Sequence, residues 1–177
     1  VKFEFPDTVR FPCLPVSADN KGLIFPLSGE SYCTAPEIQV AVNLGCKIKI
    51  IHGIVVPWAQ QDVRLFQPFV EIVRLKRNEA QSINDKSNDG VWKEIGNTLY
   101  GKLAQGLNEK NAFDTTTGQH TKISESAVTN EFFASHVTGF VRAVIAELMN
   151  SIPDDKLVVG VTTDGFLSNA SVDDLNL

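Results

Sequence analysis

The chain has 177 residues, of which 43% are hydrophobic and 21% are charged, and its formal net charge is −5. This length and composition predict one ordinary core, with room for a projecting subdomain, and they exclude disorder on a large scale. The acidic balance is atypical of a dedicated nucleic-acid-binding module, which carries a basic face. No apolar run looks long enough to cross a bilayer, so we expect a soluble cytoplasmic protein without a membrane partner.

The first residues of the chain read as short strands, and Ser28–Glu30 reads as a turn between two of them. Thr34 followed by Glu37 three residues later forms a capping box, which predicts a helix that ends at Gly45. The next segment, 46–58, alternates and is rich in β-branched residues. It therefore predicts a long strand.

Two antiparallel helices joined by a polar tip are predicted between residues 62 and 106. Asp62 can cap the first helix, and the tip falls in the polar segment 82–90. The second helix is expected to start near Val91. Its packing face carries three apolar residues at helical spacing, Ile95, Leu99 and Leu103.

A loop with a short ribbon is expected next, followed by a long helix over 126–150 and a two-stranded ribbon over 157–170. In that last ribbon, Asp164-Gly165 would supply the positive φ that a tight turn needs. On this pattern alone, Asp164 is a structural turn residue. The long helix is expected to bury a stripe of large apolar residues, Phe132, Phe133, Val137, Phe140, Val144, Ile145 and Leu148.

The scattered cysteines and histidines indicate no metal or catalytic cluster. The three cysteines form no C-x-x-C pair, and the three histidines show no ligand spacing. Neither a disulfide framework nor a zinc site is therefore predicted.

One face of the second helix carries a pattern that suits nucleotide binding. Lys93, Asn97 and Tyr100-Gly101 recur at intervals of three or four residues, so they stack along one face. An amine can contact phosphate, a ring can contact sugar or base, and a glycine lets a base approach the backbone. The alternative is that these are surface residues and that glycine permits close helix packing. Glycine inside a helix costs about 1 kcal/mol relative to alanine, so Gly96 and Gly101 need a reason.

Two motifs together resemble family B DNA polymerases. The segment K-E-I-G-N-T-L-Y-G-K over 93–102 resembles K-x-x-x-N-S-x-Y-G of that family, and V-T-T-D-G-F over 161–166 resembles D-T-D-S. The two occur in the family's order, with a loop and a long helix between them. The nearest subgroup is that of phage and plasmid polymerases, some of which are protein-primed.

The resemblance implies an α+β fold with a mixed or antiparallel polymerase-palm-like sheet, packed helices and a projecting helical hairpin. Residues 1–61 and 107–177 would form the palm, and 62–106 the fingers. The implied partners are primer-template DNA, deoxynucleoside triphosphates and, in the protein-primed type, a terminal protein. The implied setting is the cytoplasm, with the protein encoded by a bacterium, phage or plasmid.

The same resemblance implies roles for individual residues. Lys93 would contact the triphosphate of the incoming nucleotide, Asn97 would help to shape that pocket, and Tyr100 with Gly101 would line the nascent base pair. Two arginines of the facing helix would add a cationic contact, Arg74 and Arg77.

Asp164 would bind the catalytic Mg²⁺ ions, but the metal motif departs from the family's pattern. Thr162 replaces the first aspartate of D-T-D. The family's upstream D-x-x-S-L-Y-P motif is absent, and Asp7 in "PDTVRFP" has the wrong spacing. We therefore expect the isolated chain, which also lacks a thumb, to be an inactive fragment of a polymerase. The alternatives are a non-catalytic remnant that binds nucleic acid or a replication protein, and an unrelated α+β domain with chance matches.

Overall fold

The computed structural model describes residues 1–18, 22–57, 64–107 and 110–175. Its helices are α1 (Ala35–Asn43), α2 (Gln67–Ser82), α3 (Lys86–Leu103) and α4 (Glu131–Asn150). Its strands are β1 (Lys2–Glu4), β2 (Val16–Ala18), β3 (Gly22–Ile24), β4 (Ser28–Glu30), β5 (Lys47–Lys49), β6 (Asn111–Asp114), β7 (Gln119–Lys122), β8 (Val158–Val161) and β9 (Phe166–Ser168). The predicted α+β class is confirmed, with several small antiparallel sheets in the described parts of the chain.

The chain divides into two compact units. The first comprises Val1–Val55 with Ser135–Leu177, and the second comprises Val56–Ala134. The predicted boundary at residue 106 assigned 107–134 to the palm, whereas the structure groups that segment with the helical hairpin. The palm and fingers roles themselves stay predictions.

The core of the first unit lies under the three-stranded antiparallel sheet β4-β1-β5. Phe3 in the central strand pairs with Gly29 of β4 and Ile48 of β5. The prediction of a turn at Ser28–Glu30 is wrong, because this segment pairs with β1 along its length. A Cβ on Gly29 would lie 3.3 Å from Val16 Cγ2, which is a tight contact, so glycine lets β4 lie close to Val16. The buried cluster contains Phe3, Phe5, Cys13, Leu14, Val40, Ala41, Cys46, Ala143 and Ala146.

The predicted long strand over 46–58 is wrong in length. Only Lys47–Lys49 pairs, and its partner is β1. Residues 50–57 form no strand within the described ranges, and Ile54 and Val55 are 81% and 88% exposed. Alternating β-branched residues favour a strand, but the strand forms only where a neighbour offers backbone groups to pair with.

The predicted capping box of α1 is confirmed. The N–H and hydroxyl of Thr34 both donate to Glu37 Oε2, at 2.7 and 2.8 Å. Glu37 is fully buried, and its Oε1 accepts a 2.7 Å hydrogen bond from Arg142 Nε of α4. A Cβ on Gly139 would lie 2.1 Å from Thr34 Oγ1, so only glycine allows α4 to come this close. The helix ends as predicted at Gly45, which has a φ of +80°.

Small residues, not the predicted large ones, form most of the buried face of α4. Phe132, Val137, Phe140 and Val144 are 37–57% exposed, and Ile145, at 8% exposed, is the one predicted stripe residue that is buried. The buried side chains include Ala143, Ala146 and Met149. Gly139 lets α4 pack closely against α1, and Ala143 and Ala146 follow it on the same face at helical spacing.

By length and composition alone, α4 is also long and apolar enough to cross a bilayer. The expectation that the chain has no such segment is therefore wrong for this helix. Its contacts explain its composition without a membrane, because Ala143 and Ala146 lie in the core of the first unit and Arg142 pairs with buried Glu37.

The second unit contains the predicted helical hairpin α2–α3 and the antiparallel ribbon β6–β7. The tip is shorter than predicted, because α3 begins at Lys86 and not near Val91. Asp85 caps the helix by accepting a hydrogen bond from the N–H of Asn88 at 3.0 Å. The first helix begins at Gln67, and the predicted cap Asp62 lies outside the described residues.

Candidate functional site

The nucleotide-binding residues predicted on α3 lie together on its solvent-exposed face. Lys93, Asn97, Tyr100 and Gly101 are all exposed, and Tyr100 is 45% exposed. Leu103, one of the three apolar residues predicted to pack, is buried. The structure therefore brings the four residues into one stripe, which we call the α3 stripe, while their role in binding stays a prediction.

The two interior glycines of α3 have different surroundings. A Cβ on Gly96 would lie 3.1 Å from Val73 Cγ1 of α2, so glycine here permits the helices to pack closely. A Cβ on Gly101 would meet no atom within 4 Å among the described residues. Packing thus accounts for Gly96 but not for Gly101, whose cost to the helix is about 1 kcal/mol.

A groove of about 480 Å³ runs along the junction of α2 and α3. Arg74 and Arg77 line it together with Gly96. Arg74 is exposed and makes no hydrogen bond or ion pair to another described residue, so its charge is available to a ligand. The other residues that line the groove are Phe69, Val70, Val73, Asn78, Gln81 and Leu99.

Arg77 is held by Asp89, a residue that the sequence did not single out. Arg77 Nε donates to Asp89 Oδ1 at 2.8 Å, and Gln81 Nε2 donates to the same oxygen at 3.1 Å. The hydrogen bond from Arg77 holds the pKa of Asp89 below its usual value, and the charge of Lys93 adds to this effect. The sequence could have pointed to Asp89 through its four-residue spacing from Lys93, because this spacing places both residues on one helix face.

Asp164 lies at the exposed turn of the ribbon β8–β9. Thr162 closes this turn, because its N–H and its hydroxyl both donate to the Gly165 carbonyl, at 2.8 and 3.0 Å. The same hydroxyl lies 3.5 Å from Asp164 Oδ1. The expectation of positive φ at Asp164-Gly165 is wrong, since neither residue has it. The double hydrogen bond to Gly165 closes the turn without a left-handed residue.

The described residues do not make up a complete metal site. No group of three or more His, Cys, Asp or Glu side chains occurs within these parts of the chain. Asp164 supplies one exposed carboxylate, which is the donor type that Mg²⁺ prefers. It lies in the first unit, whereas the α3 stripe lies in the second.

Comparison with known proteins establishes the family. Residues 1–148 match the DNA polymerases of type B, organellar and viral. The chain therefore belongs to the family B DNA polymerases, and the resemblance drawn from the two motifs is confirmed. It is 52% identical, over its whole length, to a protein of Escherichia coli called primer-independent DNA polymerase PolB, of which it spans 21%. No solved structure matches the chain.

Proposed function

We propose that this chain is part of a DNA-directed DNA polymerase that transfers nucleotides from deoxynucleoside triphosphates to a growing DNA strand. The observation that carries the proposal is the α3 stripe, an exposed row of an amine, an amide, an aromatic ring and a glycine in a family B chain. The partners are template DNA and deoxynucleoside triphosphates, and the place of action is the cytoplasm.

The chemistry of each stripe residue supports its proposed role. Lys93 carries an exposed positive charge that suits the triphosphate. Asn97 offers a donor and an acceptor one turn further along, and Tyr100 offers a flat surface to the nascent base pair. Gly101 faces open space, so a base can approach the backbone there. Each of these groups binds or orients the nucleotide.

Arg74 is the better candidate for the second cationic contact. Arg77 already donates to Asp89, whereas Arg74 lines the same groove without such a partner among the described residues. A phosphate that approached Arg77 would compete with the Asp89 carboxylate. We therefore place Arg74 on the nucleotide and give Arg77 a part in holding the hairpin together.

Asp164 is proposed to be one ligand of catalytic Mg²⁺. When bound, Mg²⁺ would activate the attacking hydroxyl and neutralise charge on the leaving pyrophosphate. The described residues hold no full ligand set, so other carboxylates of the whole protein would have to complete the site. We accordingly expect the isolated chain to show no DNA synthesis.

The need for a primer and the case for a non-catalytic remnant each depend on one observation. The relative is called primer-independent, which favours synthesis that starts without a terminal protein or another primer. The hydroxyl of Thr162 is engaged in closing the turn and supplies no carboxylate, which favours the second candidate, a non-catalytic remnant that binds DNA or a replication protein.

Incorporation of deoxynucleotides by the full-length protein separates these candidates. We expect Mg²⁺-dependent incorporation on both primed and unprimed templates, with loss of activity in Asp164→Ala. Lys93→Ala is expected to raise the KM for deoxynucleotides, and Lys47→Ala, an exposed lysine of the first unit, is the matched control. A folded full-length protein without incorporation would support the non-catalytic remnant. Incorporation on primed templates alone would contradict primer independence.

A further inference from the structure

Burial does little to orient the ribbon β8–β9, which carries Asp164. Val159, Val161 and Leu167 are 54–70% exposed, although they are apolar. The direction of the ribbon must therefore be set mainly at its base, where the chain leaves α4. Hydrogen bonds close that base, because Leu157 donates to and accepts from residues of the returning strand.

Arg10 binds the turn that leads into the ribbon. In this turn the N–H of Lys156 donates to the Pro153 carbonyl at 3.0 Å. Arg10 Nη1 donates to the same Pro153 carbonyl at 3.3 Å, and Arg10 Nη2 donates to the Lys156 carbonyl. One planar guanidinium thus contacts both ends of the turn directly before the first ribbon residue.

The residue after Arg10 holds the end of α4. The Phe11 carbonyl accepts a 2.9 Å hydrogen bond from Asn150 Nδ2, which also donates to the Ala146 carbonyl at 2.8 Å. The Arg10 guanidinium lies 4.8 Å from the centre of the Phe11 ring. Residues 10 and 11 therefore tie the end of α4 and the turn before β8 to one segment of the chain.

We propose that Arg10 is a positioning residue for Asp164: by holding both ends of the turn, it sets the direction in which the ribbon carries the carboxylate. This inference rests on the proposed function. A ribbon arm of roughly 20 Å, from about 3.3 Å per residue, moves its tip by roughly 2 Å for a tilt of about 5°. Displacements of about 1 Å already impair catalytic geometry.

The test compares Arg10→Ala, Arg10→Lys and Asp164→Ala in the full-length protein. Arg10→Ala is expected to raise the Mg²⁺ concentration for half-maximal incorporation about tenfold, as loss of a group that orients a metal ligand does. Arg10→Lys should recover part of this shift, because an ammonium keeps the charge but not the planar fork. Lys2→Ala is the control, since it removes an exposed cation of the same unit that pairs with Glu30.

Amide hydrogen exchange supplies a readout that does not depend on activity. Arg10→Ala should lower the protection of ribbon residues 157–169 while α1 keeps its protection. An unchanged Mg²⁺ requirement, or a uniform loss of protection in both segments, would overturn the inference and leave Arg10 as a general stabilising residue. If the unmodified protein incorporates nucleotide and Asp164→Ala does not, the proposed function stands whatever Arg10→Ala does. If the unmodified protein is inactive, the proposed function and the positioning role of Arg10 both fail.

Discussion

Replacing Arg142 by methionine is expected to destabilise the first unit, because it leaves the carboxylate of Glu37 buried without its partner. Glu37 is 0% exposed, and Arg142 Nε is the 2.7 Å donor to its Oε1. The other oxygen is held by Thr34. Breaking a buried ion pair on one side costs about 3 to 5 kcal/mol. The Arg142 side chain is 24% exposed, so water can reach the pair and we expect a loss of about 3 kcal/mol.

The double variant Glu37→Met with Arg142→Met is expected to be more stable than Arg142→Met alone. Replacing both partners of a buried pair by apolar side chains is often neutral, because no charge is left without compensation. The remaining cost is the loss of the capping contacts to Thr34, about 1 kcal/mol.

Urea unfolding followed by circular dichroism measures both variants. The slope of the free energy of unfolding against urea concentration should not change, so that midpoints report stability directly. A loss below about 1 kcal/mol in Arg142→Met would contradict the reasoning, since it lies under the range for buried pairs. A double variant less stable than the single one would also refute it.

Gly101→Ala is expected to stabilise α3 by about 1 kcal/mol but to raise the KM for deoxynucleotides in the full-length protein, whereas Gly96→Ala should gain no stability because its Cβ meets α2. Equal stability and equal KM in the two variants would contradict these assignments. The pKa of Asp89 is lowered from 3.8 by Arg77, so its contribution to hairpin stability is present above about pH 4 and is lost as the pH falls further. Helicity followed through an acid titration should show this loss. In Asp89→Asn the part of the loss that comes from protonation of Asp89 should be absent. Burial raises the pKa of Cys13 to about 12, so this thiol should not react with a disulfide reagent at about pH 8 until the protein unfolds. Labelling of Cys13 in the folded protein would refute its burial.

Local interactions made several features predictable. The start of α1 depends on Thr34 and Glu37, three residues apart, and its end depends on the positive φ of Gly45. The α3 stripe follows from the period of the helix, so the residues that share a face could be named before the structure was known. The two motifs together identified the family because they occur in its order along the chain.

Long-range packing explains the main errors. The strand predicted over 46–58 forms only where β1 pairs with it. Phe132, Val137, Phe140 and Val144 of α4 are exposed, whereas Gly139 packs against α1. The bond between Arg77 and Asp89 joins residues twelve positions apart across the hairpin. In each of these contacts the two partners are too far apart in the chain for a local pattern to predict the contact.

By itself, the sequence determined the α+β class, the helical hairpin, the α3 stripe and the ribbon that carries Asp164, because each depends on residues close together in the chain. It determined the family through two short motifs that occur in a set order. Only the tertiary structure decided which face of α4 is buried, that Glu37 pairs with Arg142, and that Arg10 holds the base of the ribbon. Arg10 and Lys156 are 146 positions apart, so their contact exists only because folding brings the two segments together.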